Sequence, residues 1–170
     1  MDAPIPTTAD PEEQLYLLLT DMFYLLDDAD RKFFGEYGLN TRQFWALSHL
    51  RESGSLSMID LSRLLFTDKS NVTGIADKLE AAGLIKRGPA PQDRRVILLT
   101  LTPAGAGRLD EVLAAHRQRI RSLMGSDEAA LLQALRILEP VRSRFKQYLY
   151  DTPQSDTATP ANLISDSERR

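Results

Sequence analysis

Cysteine is absent from this 170-residue chain, which excludes disulfides, thiolate metal sites and thiol redox switches. Histidine is nearly absent, and His49 and His116 are too scattered to suggest a zinc site. No apolar run approaches the roughly 20 residues that cross a bilayer. No basic stretch followed by an apolar one stands near Met1. Neither a membrane span nor a secretory leader is therefore expected, and a cytoplasmic protein is the default. An enzyme would need a nucleophile beside a base, paired carboxylates at a cleft, or a metal set. The sequence carries no such motif, so no catalytic activity, cofactor or metal is expected. The acidic run Asp27, Asp28, Asp30 reads as a solvated face.

What is present is an uneven charge distribution. Residues 1–30 hold eight acidic side chains and no Lys or Arg. Residues 63–95 hold seven basic residues (Arg63, Lys69, Lys78, Lys86, Arg87, Arg94, Arg95) against four acidic ones, inside a chain of net charge -3. An acidic protein with a basic middle can still bind nucleic acid, because local potential matters more than the total.

Periodicity and capping residues give the element order. Asp10-Pro11-Glu12-Glu13 starts a first helix, with Asp10 as N-cap, Pro11 at the first position and Glu13 three after the cap. It runs to about Glu36 and ends at Gly38. Asn40 or Thr41 caps a second helix that ends at Ser53-Gly54. Ser57, with Asp60 three later, caps a third. Thr67-Asp68 stops that one and caps a fourth, Lys69 to Ala82, closed by Gly83. Two β-type segments follow, Leu84 to Arg87 and Val96 to Leu101, joined as a hairpin through Pro89 to Asp93. Thr102-Pro103 opens a fifth helix that breaks at Gly125. Ser126 caps a sixth, which Pro140 should kink. Residues 1–9 and 151–170 are expected to be disordered.

Two short helices joined by a tight turn, then a hairpin, form a winged helix-turn-helix pattern. The fold class is therefore mainly α with a small β-hairpin wing. In the fourth helix Val72, Ile75, Ala76 and Leu79 share the face that should pack on the third. The opposite face offers Lys69, Ser70, Asn71, Thr73, Gly74, Asp77 and Lys78. Small polar side chains near a helix N-terminus suit base edges in a major groove, and lysines suit phosphates. In the hairpin, Asp93 can pair with the Arg95 guanidinium and leave Arg94 to project into a minor groove. Taken singly, each feature also fits an ordinary charged surface.

The full string is more specific. L-E-A-A-G-L-I-K-R, P-A-P-Q-D-R-R and V-I-L-L-T-L-T-P-A-G, with S-N-V-T in the fourth helix, closely resemble the MarR family of bacterial transcriptional regulators. The resemblance covers roughly residues 12–150 and is strongest over 57–105. It implies a homodimer on a palindromic site in double-stranded DNA, a repressor by family habit. It implies that residues 10–38 and 103–150 form a helical dimerisation lobe and 39–102 the DNA-binding lobe. Ser70, Asn71 and Thr73 would meet bases, Lys69 and Lys78 phosphates, and Arg94 the minor groove, with Asp93 and Arg95 bracing the wing. The wide apolar stripes of the first and last helices agree independently with a second copy. Many relatives carry a basic residue where this chain has Gly74, so either a phosphate contact is lost there or the backbone approaches DNA more closely.

The family also often carries a small aromatic, anionic effector. Phe33, Phe34, Tyr37, Trp45 and His49 cluster in the corresponding region, with Trp45 and His49 on one helical face. Aromatic walls with one titratable group suit a phenolic or carboxylate ligand. The competing reading is a packed aromatic core. A second rival, a winged helix that binds protein instead of DNA, is opposed by the intact wing arginines and the polar fourth-helix face.

Overall fold

The computed structural model describes residues 10–150. The segments expected to be disordered, 1–9 and 151–170, lie outside the described residues. Contacts divide the chain into two compact units, one ending at Arg119 and one beginning at Ile120. The first unit contains α1 (Pro11–Glu36), α2 (Thr41–Ser53), β1 (Ser55–Ser57), α3 (Met58–Leu64), α4 (Lys69–Ala81), β2 (Ile85–Pro89) and β3 (Ile97–Leu101). The boundary falls within α5 (Pro103–Met124), and α6 (Glu128–Tyr150) belongs to the second unit. No helix among the described residues is long and apolar enough to cross a membrane.

Helix boundaries follow the local chemistry, with two corrections. Asn40 and Gln43 form a reciprocal capping box at the start of α2. The Ser57 hydroxyl accepts the Asp60 amide at α3, and Asp68 accepts the Asn71 amide at α4. At α1, Asp10 adopts the extended N-cap conformation, but its side chain caps nothing. Pro11 and the Asp10 carbonyl, which accepts from the Gln14 amide, suffice there. At α6 the cap is Asp127 rather than Ser126: the Asp127 carboxylate accepts the Ala130 amide at 3.0 Å. The helix continues through Pro140.

The wing is a three-stranded antiparallel sheet in the order β1-β3-β2, not a lone hairpin. β2 pairs with β3 from Ile85 opposite Leu101 to Pro89 opposite Ile97, and Ser55–Ser57 of β1 covers the other edge of β3 at Leu98–Thr100. Three residues, two of them serine, give no alternating pattern, so β1 leaves little trace in the sequence.

One apolar cluster holds the first unit together. Phe34 of α1 stacks on Phe44 of α2 at 4.1 Å between ring centres. Leu47, Leu50, Leu61, Val72, Leu79, Leu99, Leu109 and Val112 fill the rest, drawn from α2, α3, α4, β3 and α5. Val72, Ile75, Ala76 and Leu79 are all buried, as their spacing requires.

The segment Leu101 to Gly105 closes this unit. The Thr102 hydroxyl donates to the Gly83 carbonyl at 2.7 Å and accepts the Gly105 amide at 3.0 Å. The Thr102 amide donates to the Leu84 carbonyl at 3.1 Å. Gly105 is required because a Cβ there would lie 1.9 Å from the Leu84 carbonyl oxygen. Gly107, two residues on, faces open space. Gly107→Ala should therefore raise stability by about 0.5–1 kcal/mol through helix propensity alone. Gly105→Ala should lower it by roughly 2 kcal/mol through the backbone clash. Denaturant titration of both variants checks the pair, and equal effects would contradict the close approach.

Candidate nucleic-acid interface

The candidate surface is built from the N-terminal turns of α4 and the tip of the β2–β3 hairpin. At the start of α4, the exposed Asp68 carboxylate organises its neighbours. Its Oδ1 accepts from the Ser70 hydroxyl at 2.6 Å and from the Asn71 amide at 2.8 Å. Its Oδ2 accepts from Asn71 Nδ2 at 2.8 Å. These bonds, the Ser70 hydroxyl first and the Asn71 amide next, hold the carboxyl below its ordinary range. Asn71 Nδ2 also donates to the Thr67 hydroxyl at 3.2 Å, and the Thr73 hydroxyl donates to the Lys69 carbonyl at 3.0 Å. Ser70, Asn71, Thr73 and Gly74 are all exposed. A Cβ on Gly74 would meet nothing within 4 Å.

At the hairpin tip, Asp93 Oδ1 accepts the backbone N–H of Arg95 at 2.9 Å, and the Asp93 carbonyl accepts the Val96 amide at 3.0 Å. The expected pairing of Asp93 with the Arg95 guanidinium does not form. A backbone N–H two residues away is closer to hand than the end of a long side chain. Both Arg94 and Arg95 are exposed and have no ion-pair partner among the described residues.

The basic field of the sequence is thinned by pairing. Arg87 binds Glu80 at 2.9 Å and Asp77 at 2.6 Å, and its amide also donates to Glu80. Arg63 lies 3.4 Å from Asp60. Of the seven basic residues over 63–95, Lys69, Lys78, Lys86, Arg94 and Arg95 form no ion pair among the described residues. Sequence reasoning missed Arg42, at the N-terminus of α2, whose guanidinium reaches the Thr67 hydroxyl at 3.4 Å. Arg42, Arg31 and Lys78 line an open groove of about 400 Å³ that also exposes Ser70, Asn71 and Gly74. The position of Arg42 inside the α2 capping box, between Asn40 and Gln43, was the available signal.

The residues grouped as ligand-lining separate by burial. Phe34 has no exposed surface and belongs to the core. Tyr37 is half-buried against Phe33. Trp45 is 41% exposed, and its ring lies 6.3 Å from that of the partly buried His49. His49 Nδ1 is 3.9 Å from Glu52. Beside them sits a group the sequence did not reveal. His116 of α5 is buried among Phe33, Phe34 and Phe44, with its Nε2 3.8 Å from Asp30. Arg119 donates to the same Asp30 oxygen at 2.7 Å and lies over the Phe33 ring at 5.1 Å. Its Nη2 is buried and has no hydrogen-bond partner among the described residues. The acidic run thus divides. Asp28 pairs with Arg31 and Lys32 at the surface, whereas Asp30 turns inward to bind α5, contrary to the expected solvated face.

Two helices joined by a tight turn, a polar exposed face on the second and a cationic β-wing beside it define a winged helix-turn-helix protein. A family model described as the MarR family matches residues 37–96. The chain is 32% identical over 123 residues to the HTH-type transcriptional regulator PecS of Dickeya dadantii, covering 69% of this chain and 74% of PecS. It is 34% identical over 102 residues to the transcriptional repressor NicR of Pseudomonas putida, covering 58% of this chain and 65% of NicR. Among solved structures, BpsR of Bordetella bronchiseptica is 26% identical with a TM-score of 0.68, covering 79% of this chain and 96% of BpsR. That structure concerns regulation of BpsR DNA binding by 6-hydroxynicotinic acid. The chain belongs to the MarR family, whose members are transcriptional regulators and not enzymes.

Burial lowers the pKa of His116 below its ordinary 6.5, reinforced by Arg119 and opposed by Asp30. A depressed folded pKa means that the unfolded chain takes up the proton first as pH falls. The stability from the neutral imidazole is complete above about pH 6.5 and is lost as pH drops below it. Denaturation midpoints between pH 7.5 and 5 should therefore decline in the wild type and decline less in His116→Gln. Parallel slopes would place the proton uptake elsewhere.

Proposed function

We propose that this regulator acts as a homodimeric, sequence-specific repressor on a palindromic operator. Residues 39–102 form the DNA-binding lobe, and residues 10–38 with 103–150 form the dimerisation lobe. The observation that carries the reading is the exposed polar face of α4, with unpaired Lys69 and Lys78 along it and unpaired Arg94 and Arg95 on the wing. Ser70, Asn71 and Thr73 meet base edges, Lys69 and Lys78 meet phosphates, and Arg94 and Arg95 enter the minor groove. Asp93 braces the wing through the Arg95 backbone. Homodimerisation is supported by large apolar side chains left exposed in each unit: Phe23, Tyr24 and Leu25 on α1, and Leu135, Tyr148 and Leu149 on α6. A site of action in the cytoplasm follows from the DNA target.

A small aromatic, anionic effector belongs to the same reading. It would meet Trp45 and His49, which are accessible, and Tyr37, while Phe34 supports the wall from the core. An effector shifts DNA affinity only by its differential affinity for the two spacings of the recognition helices. Effectors that release the wild type from DNA should lose their effect in Trp45→Ala and His49→Ala. Unchanged ligand affinity in both variants would remove this site.

The central test is selection of bound duplexes from a random pool, with binding repeated at two salt concentrations. A palindrome is expected, with half-sites about 34–36 Å apart. Lys78→Ala should weaken binding to all sequences and reduce the logarithmic salt slope by about one. Arg94→Ala should likewise weaken binding broadly. Weak, salt-insensitive binding without an enriched palindrome would count against DNA as the partner.

A further inference from the structure

The three side chains assigned to base contact have already used their hydrogen-bond donors inside the protein. Asn71 Nδ2 carries two hydrogens, and they go to Asp68 Oδ2 and the Thr67 hydroxyl. The Ser70 hydroxyl hydrogen goes to Asp68 Oδ1, and the Thr73 hydroxyl hydrogen goes to the Lys69 carbonyl. What these residues still offer outward is oxygen: Asn71 Oδ1 and the lone pairs of Ser70 Oγ and Thr73 Oγ1.

The orientation of the Asn71 amide is set by chemistry. An amide can be turned over with little change of shape, but an ionised carboxylate only accepts. Turning Asn71 over would set its oxygen against Asp68 Oδ2 and leave that contact repulsive. Asp68 is therefore a positioning residue: it fixes which end of Asn71 faces outward, and it fixes the Ser70 rotor by the same means.

We propose that α4 reads its operator as a row of hydrogen-bond acceptors, so that the bases met by Ser70, Asn71 and Thr73 present exocyclic amino groups, N4 of cytosine or N6 of adenine. This rests on the reading of α4 as the major-groove helix given above. In the major groove, cytosine differs from thymine, and adenine from guanine, by an amino donor in place of a carbonyl acceptor. An acceptor row selects the first of each pair and sets oxygen against oxygen for the second. The usual bidentate contact of asparagine with adenine needs the amide to donate to N7. Here that contact requires Nδ2 to leave both Asp68 and Thr67.

Base analogues placed in the selected operator test this with the wild-type, full-length chain. Replacing a contacted adenine with purine, or a contacted cytosine with 2-pyrimidinone, removes only the amino group. Affinity should fall by about two- to tenfold, the worth of one neutral hydrogen bond. Replacing the adenine with 7-deazaadenine removes only the N7 acceptor and should leave affinity within about twofold. The position read by Asn71 is the one whose amino sensitivity disappears in Asn71→Ala. Asp68→Asn keeps a good N-cap but turns a donor toward Asn71 Nδ2, so the Asn71 amide must reverse. That variant should gain preference for guanine or thymine at the same position. Loss of affinity with 7-deazaadenine, or indifference to amino deletion at every position, would overturn the acceptor row while leaving operator binding intact. Absence of sequence-selective duplex binding would overturn both readings.

Discussion

The carbonyls of Gly83 and Leu84, in the turn that follows α4, are the point on which the winged unit depends. These two residues end α4 and lead into the wing: the Gly83 and Leu84 amides donate back to the Glu80 and Leu79 carbonyls. Gly83 takes a φ of 70°, which glycine adopts without steric cost. Thr102 then binds both outward carbonyls, and α5 starts in contact with them because Gly105 has no side chain. Arg87 adds a second tie, from β2 to Asp77 and Glu80 on α4. α4 and the wing are thus held as one piece, which fixes the distance between the exposed polar face of α4 and the wing arginines.

Pairing decides which charges count. The chain is acidic overall, yet Arg87 and Arg119 are held in structural pairs while Lys69, Lys78, Arg94 and Arg95 face outward. Arg87 spends its charge on two carboxylates and contributes little field beyond them. That pairing also neutralises Asp77 and Glu80, which would otherwise add negative charge to the α4 surface. Arg119 serves the interior in a comparable way, held by Asp30 and by the Phe33 ring. A count of lysines and arginines over 63–95 overstates the charge left outside ion pairs, because Arg63 and Arg87 are paired.

Most of the fold was legible because capping and periodicity are local. The Asn40–Gln43 box, Ser57, Asp68 and the glycines at 38, 54, 83 and 125 mark helix ends where the structure has them, and all four glycines have positive φ. What the sequence concealed is tertiary. β1 exists because β3 has a free edge, not because S-L-S favours a strand. Asp30, His116 and Arg119 are 86 residues or more apart in part, and only the packing of α1 on α5 brings them together. Likewise, composition gave the Asp93-Arg94-Arg95 triplet, but whether Asp93 takes a guanidinium or a backbone N–H is settled by reach. The exposed polar face of α4 was legible from residue spacing, whereas the direction in which each polar group points was not.

Asp68 shows why that direction matters. Under the proposed function, a carboxylate at the front of α4 is unfavourable in a simple charge account, because phosphates are negative. Three donors and the positive end of the α4 dipole offset that charge locally. In return Ser70 and Asn71 are fixed before binding, so their rotamer freedom is lost on folding and not again on association. A recognition surface organised by an acid has its own donors turned inward. The helix therefore brings order from Asp68 and positive charge from Lys69 and Lys78, two separate sources that substitution can vary one at a time.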